Sequence, residues 1–277
     1  MLWTLLDSPF VQNALLASVL LSIGSGIIGS LIVANKSVFL AGGVAHSAFG
    51  GVGIALFLGY NALFGAIMAA LVISGIMVYA SLAHKGRLDI FISILWAFGM
   101  ALGIVLIELT PGYKINMESY LFGALAFSTT QDIYAMAIFD VVLVVFVTIL
   151  YREILGILYD IEFCALKGLP TKSLIGIIFM LTAIGVVLGM RSGGLVLVIS
   201  TLSIPAYIAM LFAKNLKMQF GISIALCLFC MFGGFGISYI YDLALGACVV
   251  LFAVMIFICA LSIRFLTTRI KRGRNGT

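Results

Sequence analysis

The chain has 277 residues, of which 64% are hydrophobic and only 9% charged, with four prolines and a mean hydropathy of +1.30. Soluble globular domains carry about a quarter charged residues, so a soluble fold is excluded. The formal net charge of +5 sits in loops and at the C-terminus, where it orients a chain in a bilayer and carries no nucleic-acid signal.

Apolar runs bounded by charge, glycine or proline predict nine spans, at roughly 10–33, 37–59, 61–83, 89–110, 132–151, 173–190, 194–213, 219–240 and 243–265. Each is close to the roughly 20 helical residues that cross a hydrocarbon core of about 30 Å. The alternating pattern of a barrel is absent, so the fold class is all-α, a polytopic transmembrane helical bundle. Two breaks, at Gly59-Tyr60-Asn61 and at Arg191-Ser192-Gly193-Gly194, leave eight or ten spans open. At the second, two helices could also form a broken pair that does not fully cross. The membrane domain occupies 1–266 and a basic tail 267–277.

In the first span Ser22, Gly26 and Ser30 share one face, as do Ser25 and Gly29, which suits close helix contact in lipid. The second span carries the densest small-residue run, Ala41 to Gly53, around His46. The fourth span opens on Asp89, a candidate helix cap, and closes on Glu108. An outer loop at 111–131 is long enough for a partial surface helix. The fifth span places Asp140 about eight residues in. An inner loop at 152–172 combines Leu158, Phe163, Ala165, Leu166 and Leu169 with Asp160, Glu162 and Lys167, ending in Gly168 and Pro170. That composition predicts a short amphipathic helix at about 159–170, lying on lipid headgroups or docked on a partner. Asp242 marks the last turn. The five cysteines make no disulfide framework, and Cys227-Leu228-Phe229-Cys230 lacks the second pair or histidine that a metal site needs, so it reads as packing.

Placing the C-terminus inside puts thirteen lysines and arginines on the cytoplasmic side and leaves only Lys114 and Arg191 outside. The positive-inside rule then gives an outer N-terminus, an inner C-terminus and an odd number of spans.

An ionisable side chain at bilayer depth is costly and therefore a functional candidate. Imidazole ligates divalent metals and carries protons, so His46 is either a site residue or a hydrogen-bonded member of the bundle core. Asp140 is a metal candidate or a paired structural acid. Glu108 and Asp242 stand where a carboxylate reaches water and could draw a cation to an outer mouth. The sequence has no G-x-S-x-G, H-E-x-x-H or Walker loop. The chain is therefore expected not to be an enzyme but to move something across the membrane.

Several segments resemble, in order, the zinc/manganese permease family of ATP-binding-cassette importers. They are Gly26-Ile27-Ile28-Gly29-Ser30; Phe39-Leu40-Ala41-Gly42-Gly43-Val44-Ala45-His46-Ser47; Ile94 to Gly103; Tyr120-Leu121-Phe122-Gly123; Tyr159 to Pro170; Gly189 to Val198 leading to Ser203-Ile204-Pro205-Ala206; and Gly236 to Asp242. The resemblance implies a membrane permease for zinc or manganese, with no permanently bound cofactor and with the divalent ion as cargo. It implies cytoplasmic ATP-binding subunits that hydrolyse the ATP, an extracytoplasmic metal-binding protein and a second permease copy. It also implies a coupling role for Asp160, Glu162, Phe163, Ala165, Gly168 and Pro170. The family usually carries an aspartate four residues before the histidine. Here that position is Gly42, which admits a metal chelate or cofactor as alternative cargo; a secondary transporter is the more distant alternative, and no inverted repeat supports it.

Overall fold

The computed structural model describes the backbone of residues 9–83, 88–110 and 129–274 and the side chains of 12–83, 88–110 and 129–266. The described residues are mostly helical, with no strand among them. The first four helices are α1 (Pro9–Ala34), α2 (Phe39–Phe57), α3 (Ala62–Ala83) and α4 (Leu88–Glu108). After the segment 111–128, which is outside the described residues and includes Tyr120 to Gly123 and most of the outer loop, come α5 (Thr130–Ile149), α6 (Tyr151–Tyr159) and α7 (Ile161–Leu166). The chain closes with α8 (Thr171–Gly193), α9 (Leu195–Phe212), α10 (Leu216–Tyr241) and α11 (Leu245–Arg274). Nine of these, all but α6 and α7, are long and apolar enough to cross a membrane among the described residues.

The two uncertain breaks prove to be turns between full spans. Gly59 has φ +76°, a left-handed conformation that glycine adopts at no steric cost, and α3 starts at Ala62. Gly194, at φ +83° and ψ 163°, separates α8 from α9, and each runs long enough to cross. The nine-span reading holds, and the alternative of a broken pair does not. At the C-terminus α11 continues as one helix through Arg274, beyond the span that ends at Leu266.

Close backbone approach, achieved by small residues, organises the bundle because lipid supplies no hydrophobic drive for helices to associate. Helix α2 packs between α3 and α4, and α1 packs against α5, α9 and α10. A Cβ on Gly51 would run into the backbone carbonyl of Gly65 on α3; one on Gly50 or Gly53 would lie 2.8 Å from the backbone of Gly99 or Gly103 on α4. On α1, Gly26 meets the backbone of Ile224 and Gly29 the carbonyl of Leu202. The serines of the same helix are buried but satisfied: Ser18, Ser22 and Ser30 donate to the carbonyls of Ala14, Ser18 and Gly26 at 2.7–2.8 Å, a back-bond that spares lipid-depth hydroxyls.

Proline inside a helix strips the carbonyl four residues earlier of its partner. In α9 that proline is Pro205 and the carbonyl belongs to Thr201; the buried Cys227 thiol of α10 donates to it at 3.3 Å. One member of the C-x-x-C pair thus satisfies a freed backbone group, as membrane-depth backbone requires. Helix ends are capped where they meet water. Thr129 and Asp132 form a reciprocal capping box on α5, and Asp132 also pairs with Arg191 Nε at 2.6 Å, joining the start of α5 to the end of α8.

Candidate functional site: the His46 cluster

His46 lies near the middle of α2, and the glycine contacts just described decide what it meets. With Gly50 and Gly53 against Gly99 and Gly103, the preceding turn of α4 is brought onto the imidazole. The Trp96 indole stacks on it, centroids 4.1 Å apart and planes 14° off parallel. His46 Nδ1 lies 3.3 Å from Met100 Sδ. The next residue, Ser47, donates to the Leu95 carbonyl at 2.8 Å, fixing the same crossing. His46 and Met100 are half-buried and Trp96 is exposed on one side, so the cluster stands at an open flank of the bundle.

Gly42 is one turn before His46. A Cβ there would lie 3.6 Å from Trp96 and 3.8 Å from Ile199, ordinary contact distances. The position therefore has room for a Cβ, yet it supplies no ligand.

The other acidic candidates do not join His46. Glu108 is exposed at the end of α4, two turns beyond Met100. Asp140 is 6% exposed on α5 and adjoins a cavity of about 10 Å³ bounded by α1, α5, α8 and α9. Its Oδ1 lies 2.7 Å from where a Cβ on Gly24 would stand, and its Oδ2 has no hydrogen-bond partner. A space of that size holds at most one water, which does not suit a hydrated divalent ion. Among the described residues no three His, Cys, Asp or Glu side chains converge as a metal site. A larger groove of about 510 Å³ runs between α2, α3 and α4, but no carboxylate, imidazole or cation lines it, so it offers an ion nothing to hold.

The inner loop takes a different shape from one continuous helix over 159–170. Helix α6 stops at Tyr159, Asp160 is extended at φ −154° and ψ 99°, and α7 spans only Ile161–Leu166. Asp160 accepts from the Phe163 backbone N–H at 2.9 Å, capping α7. Gly168, at φ +82°, turns the chain toward Pro170 and α8. Cys164 is the residue turned inward, against Gly156, whereas Tyr159, Phe163 and Leu166 are 86%, 53% and 88% exposed. The apolar face thus points away from the bundle. Glu162 and Ala165 are exposed beside it, and Lys167 Nζ lies 4.7 Å over the Phe163 ring.

Two residues of the cluster, Trp96 and Met100, stand out only once the α2–α4 crossing is known. Their spacing puts them on one face of α4, but an amphipathic stripe of Trp and Met in an apolar span reads as packing.

Among the described residues the protein has nine helices long enough to span a membrane, a His46–Trp96–Met100 cluster on glycine-packed helices and an exposed apolar turn at 159–166. The sequence matches the ABC 3 transport family over residues 7–264, and the chain belongs to that family. It is 35% identical to a "Probable metal transport system membrane protein" of Chlamydia trachomatis over 86% of this chain and 83% of that one. It is 28% identical to the manganese transport system membrane protein MntC of Halalkalibacterium halodurans (92% and 88% covered) and 26% identical to the high-affinity zinc uptake system membrane protein ZnuB of Haemophilus influenzae (90% and 95%). Among solved structures, PsaBC from Streptococcus pneumoniae in complex with Fab superposes with a TM-score of 0.82 at 25% identity, covering 92% of each chain. The chain is a multi-pass membrane permease of an ABC transporter.

Proposed function

We propose that this permease imports zinc or manganese across the plasma membrane, with His46 contacting the ion in transit. The observation that carries the reading is the placement of His46. It is an imidazole at membrane depth, half-buried on an open flank, beside a sulfur atom at 3.3 Å and under an indole that holds its plane. Intramembrane ionisable groups are costly and sit at ion pathways by default. The names of the relatives, MntC and ZnuB, support the choice of cargo.

An ABC importer works with ATP-binding subunits and a substrate-binding protein, and the energy comes from ATP hydrolysed in the former. The exposed turn of Tyr159, Phe163 and Leu166 is the surface through which this chain takes up their motion. A second copy of the chain faces the first across the ion path, and alternation of the open side moves the ion. In this reading the N-terminus lies outside and the C-terminus inside, an orientation supported by the distribution of basic residues.

The deciding experiment is His46→Ala in the assembled transporter, with uptake of radioactive zinc and manganese measured at matched membrane expression. Loss of uptake of both ions is expected, because the substitution removes the only imidazole among the described residues of the spans. Normal uptake by the variant returns His46 to a packing role and refutes the reading.

A further inference from the structure

We infer that Met100 is the second protein ligand of the ion at His46, and that this nitrogen–sulfur pair selects zinc over manganese. The inference rests on the reading of His46 given above and adds to it the donor that sets specificity.

The first argument is geometric. His46 Nδ1 and Met100 Sδ are 3.3 Å apart. Zinc binds imidazole nitrogen at about 2.0–2.1 Å and thiolate sulfur at about 2.3 Å, and with a thioether bond no shorter than that, one ion touching both atoms subtends an angle of about 100° or less between them. That approaches the tetrahedral angle zinc prefers. The neighbours hold the pair in this pose. Trp96 stacks on the imidazole and fixes its plane, and the Gly50–Gly99 approach together with the Ser47–Leu95 hydrogen bond fixes the helix crossing. Methionine, unbranched and polarisable, can then follow the ion with its sulfur alone.

The second argument is chemical. Carboxylate, carbonyl and water oxygen suit manganese, whereas imidazole suits zinc and sulfur donors suit softer ions, and intrinsic affinities rise from Mn²⁺ towards Zn²⁺. On this face of α2 the oxygen donor is missing. Position 42 is glycine although its surroundings would accept a Cβ, and Glu108 and Asp140 stand elsewhere. In the inferred site the remaining coordination positions would fall to water. A site of one imidazole, one thioether and water binds a borderline ion such as zinc and discriminates against manganese.

The test uses the assembled transporter in cells, with radioactive zinc and manganese supplied in competition. Three variants are compared at matched membrane expression: Met100→Leu, which keeps the volume and removes the sulfur, Met100→Cys, which keeps a sulfur, and His46→Ala. Losing an inner ligand should cost at least the roughly tenfold that loss of an outer-shell partner costs a metal site, so Met100→Leu is expected to lower the zinc-to-manganese uptake ratio by about tenfold or more. Met100→Cys should retain a ratio near the parent's. An unchanged ratio in Met100→Leu, or an equal fall in both Met100 variants, assigns Met100 to packing and overturns the inference. Those outcomes leave the reading of His46 standing if His46→Ala has lost uptake; retained uptake in His46→Ala refutes both.

Discussion

Gly24 and Asp140 give the sharpest stability test because a single side-chain oxygen separates two outcomes. In Gly24→Ala the new methyl would stand 2.7 Å from Asp140 Oδ1 and 3.9 Å from the Phe139 ring. The carboxyl has little space to retreat into, since the adjoining cavity measures about 10 Å³. Overpacking of this kind costs about 1–3 kcal/mol, against which alanine gains up to about 1 kcal/mol over glycine inside a helix. The net expectation for Gly24→Ala is a loss of about 0–3 kcal/mol. Asp140→Ala removes the obstacle together with a buried oxygen that has no partner, so on that background Gly24→Ala should become neutral or stabilising. The coupling energy of the pair is then about 1–3 kcal/mol. Gly26 supplies the contrast, because there a methyl would lie 2.9 Å from the backbone N and Cα of Ile224, which no side-chain substitution can clear. The assay is a thermal challenge of detergent-solubilised protein, scored by the monodisperse fraction on size exclusion, for each single variant and the double variant. Equal destabilisation by Gly24→Ala in the parent and in Asp140→Ala would refute the packing described for α1 and α5.

Orientation is open to direct labelling. On a background lacking the native cysteines, Asp242→Cys in the exposed α10–α11 turn should react with an impermeant thiol reagent in intact cells, while Lys214→Cys before α10, also exposed, should react only after permeabilisation. The opposite pattern reverses the topology. Coupling is tested by Phe163→Asp, which places a charge on the exposed apolar turn without touching the inward Cys164; ATP-binding subunits should co-purify poorly while the permease still inserts. Undiminished co-purification and uptake would leave that face to lipid headgroups.

The fold was largely legible because the bilayer allows few solutions. Every span must be about 20 apolar residues of helix, and the described spans begin and end within a few residues of the hydrophobic runs. The sequence was less informative where water returns. Over 159–170 apolar and polar residues alternate in a manner compatible with one helix, but Asp160 ends α6 by taking an extended backbone and caps α7 with the same side chain. The inward residue is then Cys164, which a reading of amphipathic pattern does not favour over Phe163 or Leu166. At the C-terminus the basic residues of 267–274 continue α11 as a helix, which their helix propensities allow. Cys227 was legible as a core residue, but its link to Pro205 depends on which face of α10 meets α9.

The site illustrates how a helix crossing converts a lone residue into a cluster. His46 is conspicuous in the sequence because its cost in lipid is local to one residue. Trp96 and Met100 become partners only through the register of α2 on α4, which the glycines set. Gly50 meets Gly99 and Gly53 meets Gly103, offsets of 49 and 50 residues that increase together, so the two helices run parallel. The same offset applied to His46 arrives at Trp96, its stacking partner, and one helical turn further lies Met100. Glycine spacing is thus the physical determinant of which side chains the imidazole meets. An alanine at Gly50 or Gly53 would push the α4 backbone away and separate nitrogen from sulfur with every ligand residue still in place.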